Sequence, residues 1–553
     1  MRIIPIAFVF CTAASLCPAQ EVESHMFPSR GYFRTVFTPP QTRVEIRPPV
    51  RLEEFVVGDK LELSLKNYLD LVMSNNPDIQ VQMLSVEVQK NAITRAFGTF
   101  DPTVTASFNS TRTKSQTGDV LAGAATLNQL SQPFNMNFTQ RLATSTQLTA
   151  NFSTTKTSTN STFQNYNPLY SSQVSFGFSQ PLLRGRGPSI VKLPITLARS
   201  RLASAQANVE DQLLRLIATA ENAYWQVILE RENLKVQEKG LENLATQLKR
   251  NQRELELGAI SPLDIYNPQA QYEQQRIQVS QAKFRLMIAE DALRRQMGAD
   301  LDPRFRDMPI VLTENPDPGT APPTFDREAL VEKAQRRRPD VRAQLQALVT
   351  DDLSIQQAQN TLRPDLSLTG SYAGTGRGGN FYQRGNVFTS DGTQLRVLQV
   401  VPGGVGDALH QMFTFNYPIY QFGLRLTLPL RDRSAAANLA DALVNKKLNA
   451  YRLRSLEQSV RLDVLNAITQ VESSKASIEI AKVGLDLAQK QLDAEQKKYD
   501  LGTTTIFFVL DAQTRLVNAQ SVLVNQTVQY RRNLVTLLQR TGELLEARGI
   551  VVQ

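Results

Sequence analysis

Cysteine and histidine are nearly absent from these 553 residues: the chain has two of each, Cys11, Cys17, His25 and His410. That all but excludes zinc sites built from Cys and His, thiol catalysis and a disulfide framework. Serines and aspartates are plentiful, but without a partnering histidine they make no catalytic triad. The residues therefore point to no enzyme, no metal and no cofactor. Long hydrophobic runs are also missing. Beyond the N-terminus no stretch approaches the roughly 18 apolar residues that a membrane-spanning helix needs; Ile506–Leu510 is typical of the longest. Lys and Arg outnumber Asp and Glu by 61 to 52, and this surplus of +9 is spread along the chain. It lacks the single basic face of a nucleic-acid binder.

Two local signals carry little. Gly374-Thr-Gly376-Arg-Gly-Gly379 fits the dinucleotide pattern G-x-G-x-x-G and follows a strand-like run. With no amphipathic helix after it and no βαβ unit around it, it reads as an external loop. Arg336-Arg337-Arg338 reads as a solvated helix end favoured by the helix dipole.

What is present begins with an address. Met1–Ala19 combines Arg2, the apolar stretch Ile3–Leu16 and the small-residue context Cys17-Pro18-Ala19. It is expected to be a signal peptide, with a buried N-terminal strand as the bland alternative. Lipid attachment at Cys17 stays open, although Leu16 is bulkier than such sites prefer. Cleavage near Ala19 would leave a mature chain free of cysteine, which suits an oxidising compartment. An exported protein without a membrane helix can cross a membrane only as β-strands.

The chain is internally duplicated. Asn76-Pro77-Asp78-Ile79 recurs 262 positions later as Arg338-Pro339-Asp340-Val341, and Phe100-Asp101-Pro102 has its counterpart around Pro364. From Gln226/Gln470 to Gly298/Gly542 the offset is 244 without a gap, pairing Gly240 with Gly484 and Leu257-Gly258 with Leu501-Gly502. The expected organisation is an extended arm over 20–60, Pro-rich around Pro39–Pro49, a first repeat over 61–299, a connector over 300–325, a second repeat over 326–544, and a tail over 545–553.

Each repeat predicts the same elements. An opening helix of about 35 residues (near 63–96 and 326–361) leads to two β-like runs split by a polar insertion. A very long helix follows (near 195–256 and 434–500), then a Leu-Gly break and a last helix (near 263–297 and 508–540). Ala220, Val227, Leu234, Leu241, Leu248 and Leu255 are spaced by seven, as are Val464, Val471, Ile478, Leu485, Leu492 and Tyr499. That is coiled-coil register. A 60-residue helix is roughly 90 Å long, and on this feature alone a soluble coiled-coil rod fits equally well.

Strands are expected near 103–111, 172–182, 365–374 and 422–431. Leu424, Leu426, Leu428 and Leu430 alternate with Arg425, Thr427, Pro429 and Arg431, and Val174, Phe176 and Phe178 alternate with polar neighbours. Such alternation fits a transmembrane barrel strand, and equally a half-buried strand of a soluble sheet. Phe134/Met136/Phe138 and Leu148/Ala150/Phe152 suggest a further hairpin within 133–155. Lacking a counterpart in the second repeat, it is expected outside the barrel.

Tyr499-Asp-Leu-Gly502-Thr-Thr-Thr-Ile506 followed by Val509-Leu510-Asp511-Ala512 resembles the hairpin-turn signature of the TolC family of outer-membrane efflux channels. Leu63-Ser-Leu with Asn76-Pro77, Ser179-Gln180-Pro181-Leu182-Leu183, and Leu426-Thr-Leu-Pro429-Leu430 match as well. The resemblance runs from about Leu61 to Leu544 and rests on the order and spacing of these motifs together. It implies an α+β fold in which a homotrimer closes one twelve-stranded transmembrane barrel, four strands per protomer, above a periplasmic tunnel of twelve helical struts. It also implies export from an inner-membrane pump through a periplasmic adaptor, outer-membrane lipid around the barrel, and no covalent chemistry.

For particular residues it implies a gate at the hairpin turns. Asp511 matches an aspartate of the constriction, Phe508 stands where a second would be, Asp264 and Tyr499 match the closing network, and Thr504 replaces an arginine. Three copies of Asp511 would repel and favour cations. A carboxylate favoured by the positive end of a helix explains Asp264 and Asp511 almost as well. Leu257 and Gly258, with Leu501, Gly502 and Thr503, resemble the turns that meet the adaptor, or are simply Gly-assisted helix stops. A protein-secretion duct of the same architecture is the rival within the family. A periplasmic coiled-coil tether without a pore is the rival outside it.

Overall fold

The computed structural model describes residues 52–550 apart from 117–124, 163, 259, 301, 318–324 and 385–396. The expected signal peptide, residues 20–51 of the expected arm, both cysteines and His25 lie outside the described residues. Residues 52–63, expected as arm and repeat edge, form a short 3-10 turn and two strands, β1 (Val56–Val57) and β2 (Lys60–Leu63). Helices α1 (Leu65–Asn75) and α2 (Pro77–Phe97) follow. Next come strands β3 (Thr103–Phe108), β4 (Thr111–Gln116), β5 (Thr126–Arg141), β6 (Gln147–Thr159) and β7 (Leu169–Pro181). The long helix α3 (Leu193–Glu256) and α4 (Tyr266–Gln296) complete this half, and β8 (Ile310–Leu312) lies in the connector. The second half contains α5 (Arg327–Arg337), α6 (Pro339–Thr361), β9 (Asp365–Gly378), β10 (Phe381–Arg384) and β11 (Val397–Val401). It ends with α7 (Val405–Phe413), β12 (Pro418–Thr427), α8 (Arg433–Asp500) and α9 (Ile506–Thr541).

The single opening helix expected in each half is two helices, because proline disfavours helical backbone at the residue before it. Asn76 has ψ 119° and Arg338 ψ 128°, both extended. Ser64 and Asp326 cap the first pieces through their side-chain oxygens, which accept from the N–H of Asn67 and of Glu328 and Ala329. Each break docks on the end of a later helix. Asn76 donates to the Gln296 carbonyl at 2.9 Å, and a Cβ on Gly298 (φ +68°) would come within 3.2 Å of the Asn75 carbonyl. Gly542 (φ +77°) meets the Arg338 backbone in the same way, at 3.4 Å. The repeated Asn/Arg-Pro and Gly positions are two ends of one contact.

Contacts divide the chain into two compact units. One holds the main sheet, in Lys90–Ser200 and Val349–Lys447. Its strand order is β12-β9-β7-β6-β5-β3, all antiparallel, with β4 prolonging the β3 edge on β5. The four strands expected per protomer are therefore corrected to a sheet of six strand positions, and the 133–155 hairpin, expected apart from the other strands, belongs to that sheet. β5 and β6 stand within the sheet between β7 and β3, six strand positions across.

The register explains the insertion. Val104, Phe138, Ala150, Phe176, Tyr372 and Tyr420 form one continuous cross-strand row. The row of Thr103, Thr139, Thr149, Gly177, Ser371 and Gln421 points to the opposite face. One face is apolar across all six strands and the other polar, so the hairpin carries the same alternation as its neighbours. β12 ends at Thr427 rather than at 431, since Pro429 has no N–H for the ladder.

Residues Gly374 to Gly378 are the end of strand β9, not the external loop expected there. Their bare backbone lets α7 lie on the apolar face. A Cβ on Gly376 would come within 1.9 Å of the Ala408 carbonyl, and one on Gly374 within 2.5 Å of that of Met412.

The second unit comprises the described residues of Gln20–Gln89, Arg201–Leu348 and Leu448–Gln553. Strands β1, β2 and β8 form a small sheet in which β2 and β8 are parallel. Its core contains Tyr68, Leu69, Leu213, Ile217, Tyr224, Ile228, Leu293 and Met297. The Tyr224 hydroxyl donates to the Leu63 carbonyl at 3.1 Å, and burial pushes its pKa up to about 12. A fully buried carboxylate, Glu221, is held by Arg548 in a fork of 2.9 and 2.5 Å. Along the expected heptads Ala220, Val227, Val464, Val471 and Ile478 are buried, while Leu234, Leu248, Leu485 and Leu492 are half-buried.

Candidate functional site

Two turns end the long helices. After α8, Leu501 is followed by Gly502 at φ +73°, a left-handed conformation that glycine adopts without strain. The Gly502 N–H bonds the Tyr499 carbonyl at 2.9 Å, and the Thr503 N–H bonds that of Lys498 at 3.0 Å. This pair of bonds satisfies carbonyls that the helix end leaves free. After α3, Gly258 repeats the conformation at φ +73°, with its N–H on the Leu255 carbonyl at 2.9 Å. Space does not select these glycines, since an added Cβ would meet nothing within 4 Å at either. Leu257 and Leu501 at the two turns are 78% and 79% exposed.

Immediately before the turns, α3 and α8 are tied by four side chains. Arg250 donates to Glu254 and to Asp500, both at 2.9 Å, and its guanidinium lies 5.5 Å from the centre of the Tyr499 ring. The Tyr499 hydroxyl donates to Glu254 at 2.9 Å, and Gln496 adds a bond to Asp500 at 3.1 Å. The Arg250 bond, with that of Gln496, holds the Asp500 carboxyl below its usual range. Burial and the bond to Glu254 raise the Tyr499 hydroxyl to about 12.

The sequence-predicted residues divide. Tyr499 joins this cluster. Asp264 serves its own turn, accepting from the Ser261 N–H at 3.2 Å. Asp511 pairs with Arg515 one turn along α9, at 2.9 Å. Phe508 is half-exposed beside Phe507, edge-on at 5.5 Å, and Thr504 is half-buried. Sequence reasoning missed Arg250, Glu254, Asp500 and Arg515. The Arg250/Glu254 and Asp511/Arg515 spacings of four residues were the available signals. The Arg250–Asp500 bond joins residues 250 positions apart and left none.

Of the two glycines within the long helices, only Gly240 is tightly packed. Its Cβ would fall 2.8 Å from a Val517 methyl, whereas one on Gly484 would meet nothing within 4 Å. Among the described residues no helix is long and apolar enough to cross a membrane, and no group of acidic, His and Cys side chains could hold a metal.

A family model described as "Outer membrane efflux protein" matches residues 68–299 and 330–543. Outer membrane protein TolC of Escherichia coli strain K12 is 28% identical over 336 residues, 60% of this chain and 62% of that relative's length. The chain thus spans less than two thirds of that relative. Solved structures of CusC share the fold at a TM-score of 0.61 and 15% identity, over 92% of this chain and 99% of theirs. The open-state structure of the Neisseria gonorrhoeae MtrE outer membrane channel does so at 0.58 and 17%, over 87% and 89%.

Proposed function

The chain belongs to the outer membrane efflux protein family, and we propose that it is the outer-membrane exit duct of an efflux machine. The observation that carries this reading is the two-faced sheet. Its apolar face suits lipid and its polar face suits a water-filled lumen, in a chain whose described helices cannot span a bilayer. The outer edges of β3 and β12 are unpaired among the described residues, and open edges are not tolerated in hydrocarbon. A homotrimer is the assembly that supplies their partners. Apolar stripes left bare on the helices favour it too: Ile480, Val483 and Leu487 on α8, and Ile277, Phe284 and Ile288 on α4, are all more than half exposed.

In this reading residues 1–19 are the signal peptide, and two repeats joined by the 300–325 connector build each protomer's share of a periplasmic tunnel. Leu257, Gly258, Leu501, Gly502 and Thr503 meet a periplasmic adaptor, which links the duct to an inner-membrane pump. The bare leucines at both turns support that docking. Asp511 lines the constriction. The bond to Arg515 tempers its field, so cation selectivity is modest and rises when Arg515 is removed.

The test is single-channel conductance of the detergent-purified full chain in planar bilayers. Wild type is expected to give a small, cation-selective conductance, reduced in selectivity by Asp511→Asn and increased by Arg515→Ala. Selectivity unmoved by both variants would remove Asp511 from the constriction and leave the channel. Protein that never inserts would sink the channel and leave the periplasmic tether.

A further inference from the structure

Each protomer offers six strand positions, and we infer that three copies, joined β3 edge to β12 edge, close an outer-membrane barrel of eighteen strands rather than twelve. The inference rests on the trimeric channel reading above and concerns what that channel looks like within the membrane.

Three observations put β5 and β6 in the wall. β6 pairs along its whole length, Gln147–Thr159, with Gln129–Arg141 of β5, and over Gln147–Thr157 with β7. The hairpin thus runs the full height of its neighbour and is no cap at one rim. Its tight turn, Leu142–Thr146, is anchored where β7 leaves the sheet toward α3. Ser145 donates to the Gly187 carbonyl at 3.3 Å, and Thr146 bonds Gln180 at 2.5 Å. Its side chains continue both rows unbroken, Phe138 and Ala150 on the apolar face, Thr139 and Thr149 on the polar one. A hairpin lying outside the barrel would have no reason to keep that register.

Closure is consistent in direction. The edges run antiparallel to each other within the alternating sheet, so the β3 edge of one copy can pair antiparallel with β12 of the next. Barrel diameter grows roughly linearly with strand number, so the wall would be about 1.5 times as wide as a twelve-stranded one. Barrels of 16 to 18 strands leave an open aqueous channel. The row from Thr103 to Gln421 is uncharged, while Arg141, Arg377 and Arg425 share its face with a single carboxylate, Asp365, so this section is a wide vestibule with a surplus of positive charge at its ends.

The experiment images the full chain, reconstituted in lipid nanodiscs, by electron cryo-microscopy. It is paired with disulfide trapping of Ala150→Cys/Phe176→Cys, facing positions of β6 and β7, in a Cys11→Ser/Cys17→Ser background. The expected result is a threefold barrel about 1.5 times the width of a twelve-stranded one, with the disulfide formed in the membrane-embedded protein. A threefold barrel of twelve-strand width without the disulfide would overturn the inference and leave the trimeric channel intact. A twofold particle, whose two copies would supply twelve strands, would overturn the trimer itself. Particles without a barrel would overturn the channel.

Discussion

Replacing Arg250 by alanine removes the group that ties the ends of α3 and α8. Its bond to Glu254 is a helical i,i+4 pair at 2.9 Å, with side chains 45% and 24% exposed. Such a pair contributes about 0.3–0.5 kcal/mol. The guanidinium on the Tyr499 ring adds about 0.5–1 kcal/mol. The arm to Asp500 reaches into open solvent and is left out. The sum is on the order of 1 kcal/mol per protomer, a roughly fivefold change in a local opening equilibrium. Hydrogen–deuterium exchange reads this directly, because amides at a frayed helix end exchange through local opening. Peptides covering 246–257 and 494–503 should exchange about fivefold faster in Arg250→Ala, with Arg250→Lys intermediate because an ammonium keeps the charge and loses the fork. Added salt should bring wild type toward the variant. Equal exchange in wild type and Arg250→Ala would refute the argument that these contacts hold the turns together.

Other expectations follow from single contacts. Removing Arg548 leaves Glu221 buried and uncompensated, so Arg548→Ala should destabilise the protein by about 3–5 kcal/mol in denaturant unfolding; Glu546→Ala, at an exposed ion pair with Arg337, should stay within about 0.5 kcal/mol. Gly484→Ala should stabilise by up to about 1 kcal/mol through helix propensity. Gly240→Ala should lose that gain to the Val517 contact and recover it with Val517→Ala. The pH signs differ at the two ends of the scale. Asp500 has a depressed folded-state pKa, so its tie to Arg250 is fully present above the ordinary carboxylate range and is lost as pH falls through the lower folded value. Tyr499 has a raised one, so its bond to Glu254 is complete below the ordinary tyrosine range and is lost as pH rises through about 12. Acid exchange of the turn peptides tests the first; the phenolate absorbance missing from Tyr499→Phe tests the second.

The long helices, their Leu-Gly stops and the strand alternation were legible in the sequence, because each is a local property. Heptads, glycine at a left-handed position and period-two polarity impose backbone geometry without knowledge of the rest of the chain. Even the overlooked breaks at Asn76-Pro77 and Arg338-Pro339 lay in plain view, since proline acts on its neighbour alone. What only the tertiary structure decided were pairings between distant segments. The 133–155 hairpin was visible as strands, but alternation says which side chains share a face and nothing about which strand stands beside which. Its place between β3 and β7 depends on a register reaching from Thr103 to Thr427. The Arg250–Asp500 tie and the burial of Glu221 under Arg548 are of the same kind, partners 250 and 327 positions apart. A charge's partner across that distance is set by how helices pack, and composition and spacing carry no trace of it.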